Sequence, residues 1–313
     1  MQKKKLLTEI AQEPKRRPYG AKVKFLLSNE VEVKIDGDVS LIVVDDMIIT
    51  LGLSSEQPYS PNNYLQRYEA TIEGFTTATE AEEKGFKLTL ALLWASISHR
   101  FPMRLDYDTS LPYIIYNRIS SNGGLSFRAD FRLLMRTEIN AWAELLNEAI
   151  TTSSQVDNNL LLSMEIFSSA NLEMTERTKF ISLVSSLEPL SIRNDYPDSI
   201  QKLIDVFKKE LQNLDVPEIS EENKEEINKL KNSLKGRLNE LKSESIRQSL
   251  LRTVHELLPN ESDALQIIDD AYNLRSKILH EGATDPYLSS KSQKVSEIIR
   301  KLFAARIGKT LKY

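Results

Sequence analysis

The sequence predicts an α+β protein: a β-rich N-terminal domain over residues 1–150, followed by an all-α helical bundle over residues 151–313. Three observations carry that expectation. Up to Phe75 apolar and polar residues alternate with period two, the mark of half-buried strands. From about Phe131 onward the apolar positions recur three and four apart, as on a helix, with no convincing strand among them. The polar run Thr151–Asn159 separates the two regimes.

Taken in order, Ala21–Leu27 and Val31–Ile35 alternate on either side of Ser28-Asn29-Glu30 and are expected to pair as a hairpin. Val39–Val44 and Met47–Leu53 are rich in β-branched residues and predict two more strands, with Asp45-Asp46 as their turn. Tyr68–Phe75 alternates again. Thr77-Ala78-Thr79-Glu80 reads as a capping box, in which hydroxyl and carboxylate satisfy orphan helix amides reciprocally. It opens a helix to about His99 in which Leu88, Leu92 and Ala95 share a face, and Pro102 stops it. An irregular stretch through Asn122-Gly123-Gly124 closes the first domain.

Helices are then expected at Asn140–Ile150, Leu160–Ala170 and Thr175–Leu187, the last ended by Pro189. Ser199–Leu211, a charged Glu221–Leu258, Asp263–Glu281 and Ser292–Ile307 complete the set. In the charged stretch Ile227, Leu234 and Leu241 are seven apart, but Arg237 and Glu244 stand where the alternate apolar positions belong. A long coiled coil is not expected.

Composition closes several function classes. Without cysteine there is no disulfide scaffold, thiolate zinc site, iron–sulfur cluster or cysteine nucleophile. Three histidines, His99, His255 and His280, make a histidine-rich metal site improbable, and neither metal nor cofactor is expected. The longest apolar run, Leu88–Ile97, is half the roughly 20 residues a bilayer requires. The basic start lacks the apolar core of a signal peptide, so a cytoplasmic location is expected. The net charge is −4, yet residues 271–313 hold nine Lys or Arg against three acids. That surplus of six marks either a solvated helical face or a local patch for a polyanion.

Familiar motifs fail on inspection. Gly308-Lys309-Thr310 ends like a phosphate-binding loop, but Phe303 stands where the first glycine belongs. Asp106 and Asp108 could offer two carboxylates to a metal, but alternating acids in a loop are expected to face water instead.

One constellation carries chemistry. On a helix, Ala264, Ile267, Ile268, Ala271, Leu274 and Ile278 form an apolar stripe, and Arg275 falls inside it. An arginine aimed at a packed surface must meet an anion or a partner, because an unpaired charge there costs several kcal/mol. His280 lies at the helix end, with Gly282 as C-cap, where the helix dipole favours positive charge. An imidazole that moves protons beside a guanidinium that holds phosphate suits RNA cleavage through the ribose 2′-hydroxyl, with no metal. Five residues on an ideal helix separate the two side chains by about 140°. They converge on one phosphate only if the helix end unwinds or a second subunit contributes.

The run Tyr272-x-x-Arg275-Ser276-Lys277-x-x-His280-x-Gly282 resembles the R-x4–6-H motif of HEPN domains, most closely the Apea-like subgroup. The likeness extends over residues 154–313 and includes the Leu187-Glu188 that follows the second helix. It implies a helical bundle, commonly dimeric, of a kind that includes metal-independent ribonucleases of toxin, anti-phage and RNA-processing systems. It also implies Arg275 and His280 as catalytic residues, with Ser276, Tyr272, Lys277 and Glu188 in support. The expected partners are RNA and a second copy of the chain, with a regulatory partner or trigger at the N-terminal domain. A non-catalytic RNA-, nucleotide- or protein-binding module is the alternative, and a pure scaffold the third reading. The dimer expectation also treats the apolar stripe around Arg275 as interface rather than core.

Overall fold

The computed structural model describes residues 17–28, 32–33, 40–44, 47–54, 57, 65–107, 111–118, 136–137, 158–214, 221–309 and 311. It is a mixed α+β chain, an N-terminal antiparallel sheet followed by a helical region. Its strands are β1 (Tyr19–Ser28), β2 (Glu32–Val33), β3 (Ser40–Val44), β4 (Met47–Leu53), β5 (Leu65–Phe75), β6 (Met103–Leu105), β7 (Ile114–Asn117) and β8 (Arg136–Thr137). Its helices are α1 (Ala78–His99), α2 (Asn158–Ala170), α3 (Glu176–Ser185), α4 (Asp198–Asn213), α5 (Glu221–Glu240), α6 (Ile246–Leu257), α7 (Ala264–Glu281) and α8 (Leu288–Arg306). The turn residues Asp45-Asp46, the stretch Asn122–Gly124, the expected helix Asn140–Ile150 and most of the polar run after it lie outside the described residues.

The sheet runs β3-β4-β5-β1-β6, with β7 also beside β1, and every pairing in it is antiparallel. The expected hairpin across Ser28–Glu30 does not form. β1 pairs with β5 on one side and with β6 and β7 on the other, while β2 pairs parallel with β8. Period-two alternation says which residues face the core, but not which strand lies alongside. With partners on both edges, β1 buries Ala21, Val23, Phe25, Leu26 and Leu27, and Phe25 stacks on Tyr68 across the register at 5.8 Å between ring centroids. The short strands β6, β7 and β8 carried no pattern long enough to predict them.

α1 begins at its expected N-cap, although the capping box is only half made. Thr77 Oγ1 accepts from the Glu80 amide at 3.1 Å, but the Glu80 carboxylate turns to the amide and hydroxyl of Thr76. From Leu88 to Ser98 every residue of α1 is buried, not only one face. The helix lies on the sheet and takes α2 on another side, so the apolar run Leu88–Ile97 is a core helix, apolar all round because it is covered all round. No described helix is long and apolar enough to cross a membrane. Arg100 ends α1 with φ 59°, in the left-handed region.

By contact the chain divides into two compact units, and neither follows a boundary at residue 150. One comprises residues up to Ser186 together with Thr284 onward, and the other Leu187–Ala283. In the first, α3 packs against α2 and α8, and α2 packs against α1 and β6. Phe167 and Phe303 meet edge to face at 5.4 Å. Arg300 of α8, 2% exposed, donates to the Ile97 and Ser98 carbonyls at 2.8 and 3.0 Å and so satisfies the last turn of α1.

The second unit holds a 3-10 turn at Glu188–Leu190 and helices α4 to α7. The expected long helix Glu221–Leu258 is two helices. α5 stops at Glu240, and Ser245 restarts the chain with a complete capping box to Gln248. The break is held by a bridge between Asp195 and Ser243 and by Arg252, which reaches Glu244 and the Ile192 carbonyl. α4 and α5 form an antiparallel hairpin, with Lys242 on Asp205 at 2.6 Å and Lys208 on Asn239 at 2.6 Å.

Candidate functional site

α7 is built as its sequence dictates. Ala264, Ile268, Ala271 and Ile278 are all buried, and α7 packs against α6. Gly282 closes the helix at φ 67°, and its amide donates to the Lys277 carbonyl, the left-handed cap that glycine adopts without strain. Four of the six stripe residues are thus buried within this chain, while Ile267 and Leu274 are half-buried.

Arg275 stands in that stripe and finds its anion within the same unit. Its Nη2 lies 3.0 Å from Glu188 Oε1, the two side chains being 21% and 32% exposed. Glu188 sits at the start of the 3-10 turn, with Pro189 fixing the backbone next to it and Leu190 buried. The structure thus brings together two residues singled out from the sequence, Arg275 and Glu188. Tyr272 and Ser276 are half-buried on α7, and Lys277 is exposed.

His280 is exposed in the last turn of α7. The helix is regular through both Arg275 and His280, so the unwound helix end that would converge them does not occur. They leave the axis about 140° apart and about 7.5 Å along it. Within one chain the imidazole and the guanidinium point to different sides of α7.

Sequence reasoning missed a second arginine beside this helix. Arg247 of α6 donates to both carboxylate oxygens of Asp269 at 2.6 and 2.7 Å. The Asp269 carboxyl is held below its usual range by that bond. On the α7 wheel Asp269, Tyr272, Ser276 and His280 share one side. Arg247 lies on another helix, and no spacing within the sequence pointed to it.

The basic surplus of residues 271–313 is partly spent internally. Arg275 meets Glu188, Lys291 meets Asp285 at 2.5 Å, and Arg300 is buried at the end of α1. No group of three or more metal-binding side chains occurs among the described residues. A cavity of about 190 Å³ opens in the first unit between Ser96, Arg100, Phe167, Lys179, Ser292 and Glu297, and it contains none of the α7 residues. Comparisons with family models, with curated proteins and with solved structures return no match.

Proposed function

We propose that this chain is a metal-independent endoribonuclease of HEPN type, with the segment from Glu188 to His280 as its catalytic unit. The observation that carries the reading is the Arg275–Glu188 pair, which fixes a guanidinium on the helix that ends in an exposed His280. A carboxylate on one nitrogen orients the fork, and a planar guanidinium is the group suited to bidentate recognition of phosphate. In the reaction the ribose 2′-oxygen attacks phosphorus, the bond from phosphorus to the 5′-oxygen breaks, and the products end in a 2′,3′-cyclic phosphate and a 5′-hydroxyl. His280 moves the proton between these oxygens, and Arg275 stabilises the charge that builds on the phosphate. The 140° between them makes a second copy of the chain the natural source of the complementary group. The N-terminal sheet unit would then receive a trigger or regulatory partner.

The test is incubation of the pure protein with mixed single-stranded RNA in EDTA, followed by analysis of product ends. Cleavage with cyclic phosphate ends is expected, and His280→Ala and Arg275→Ala should each abolish it. His280→Ala should leave the melting temperature unchanged, since the side chain is exposed. A strict requirement for magnesium, or 5′-phosphate ends, would defeat the mechanism.

A second reading has its own support. Because Glu188 already neutralises Arg275, the pair serves equally well as a structural clamp in a non-catalytic RNA- or protein-binding module. RNA binding that survives His280→Ala, with no cleavage by the native protein, would favour it.

A further inference from the structure

Helix α8 presents Ser292, Ser296 and Arg300, one turn apart on one side, to the cavity of about 190 Å³ in the first unit, with Glu297 beside them. The end of α1 brings Ile97 and Arg100 to it, α2 brings Phe167, and α3 brings Lys179. A void left by imperfect packing is apolar and stays dry. This one is different in kind, because nine of its eleven lining residues are polar or charged.

Two of those residues carry a buried oxygen with no hydrogen-bond partner among the described residues, Ser292 Oγ and Glu297 Oε1. Ser292 is 1% exposed. Their neighbours are already engaged by the fold. Ser96 Oγ donates to the Phe101 carbonyl at 2.7 Å, and Arg300 donates to the carbonyls that end α1 and to Glu297. Polar atoms at this depth are paired in folded proteins, so two orphans on the residues of one polar cavity point to a partner from outside the chain.

Their chemistry selects that partner. A carboxylate only accepts, so Glu297 Oε1 requires an N–H or an O–H. The other oxygen of Glu297 already takes Arg100 Nη2 at 3.1 Å and Arg300 Nη1 at 2.9 Å. With Lys179 on the same cavity, three cations stand against one carboxylate, and an ammonium donor would add a fourth. A hydroxyl avoids that repulsion. The same surplus attracts a negative group, and Lys179, whose ammonium makes no ion pair among the described residues, is the cation available to it. Size narrows the class further. A cavity of about 150 Å³ takes up a benzene ring, and a drug-sized ligand needs about 300 Å³ or more, so the occupant has roughly six to ten non-hydrogen atoms.

We propose that this cavity binds a small hydroxylated anion, with a phosphate or carboxylate group on Lys179 and hydroxyls on Glu297 Oε1 and Ser292 Oγ. The site contains none of the α7 residues and does not depend on the RNA-cleaving reading. Its test reads binding and melting rather than cleavage.

Isothermal titration of the full chain with glycerol 3-phosphate and with D-glycerate covers the two charged groups. At least one should bind with a Kd of about 0.1–1 mM, within the affinity that ligands of this size reach, and the tighter of the two identifies the charged group. Glycerol, which lacks the charge, and methyl phosphate, which lacks the hydroxyls, should each bind at least about tenfold more weakly. Lys179→Met should weaken binding about tenfold and Ser292→Ala about fivefold. Without ligand, Ser292→Ala should melt no lower than the native protein, because the hydroxyl it removes has no bond to lose. Failure of both probes to bind at 10 mM, which would leave the cavity to water, overturns the proposal. So does binding indifferent to either variant, methyl phosphate as tight as glycerol 3-phosphate, or a lower melting temperature for Ser292→Ala.

Discussion

Arg275 and Glu188 meet at 3.0 Å, a guanidinium in the apolar stripe of α7 held by the first carboxylate of a 3-10 turn. The stripe and the turn belong to one compact unit. The contact explains how an arginine occupies a buried row without an unpaired charge, because the desolvation it suffers is offset within the fold.

A double-mutant cycle on this pair is the most direct probe of it. Arg275→Ala and Glu188→Ala should each lower stability by about 1–2 kcal/mol, and the double variant little more than the worse single, a coupling near 1 kcal/mol. Urea unfolding checks this. Additive losses would mean that the contact contributes nothing in solution.

Arg300 should be far less replaceable. It is 2% exposed and donates to the Ile97 and Ser98 carbonyls and to Glu297. Arg300→Met keeps the stem but strands the end of α1, and should cost about 2–4 kcal/mol. Arg100→Met, losing only a more exposed pair to the same Glu297, should cost under about 1 kcal/mol. Thermal melts of the two variants give the comparison.

Glu69 makes stability pH-dependent. Burial pushes its carboxyl up, but hydrogen bonds from Lys22 and Ser54 and the charges of Lys22 and Lys24 hold it below the ordinary glutamate value. The folded state therefore gives up its proton more readily than the unfolded chain. This contribution is complete above the ordinary carboxylate range and is lost as pH falls through the folded value. Glu69→Gln should be less stable at pH 7 by about 1 kcal/mol, and the gap to the native protein should close between pH 5 and pH 3. Urea midpoints at several pH values report it.

Gly85 should resist the substitution that usually helps a helix. An added Cβ would lie 2.9 Å from the Cβ of Ala21 on β1 and 3.1 Å from the Tyr113 ring. Gly→Ala inside a helix ordinarily gains about 0.5–1 kcal/mol. Here overpacking between α1 and the sheet should reverse the sign, to a loss of about 1–3 kcal/mol. The melting temperature of Gly85→Ala decides between the two.

What the sequence by itself determined is what neighbours along the chain decide. The Thr77 cap, the stop after His99, the left-handed Gly282 and the apolar row of α7 all follow from residues within a turn or two of one another, and all appear. The Ser245 cap that divides α5 from α6 was as local, but the charged periodicity around it obscured it. Only the tertiary structure decided which edge of β1 meets β5, since an alternating strand offers two equivalent edges. It also decided that α1 is covered all round, that α2, α3 and α8 belong to the same compact unit as the sheet, and that Glu188 and Arg247 come to α7. The candidate site was half legible for the same reason. Residue type and spacing put Arg275 and His280 on one helix, but a charge's partner is selected by three-dimensional proximity, and so is the side to which each group points.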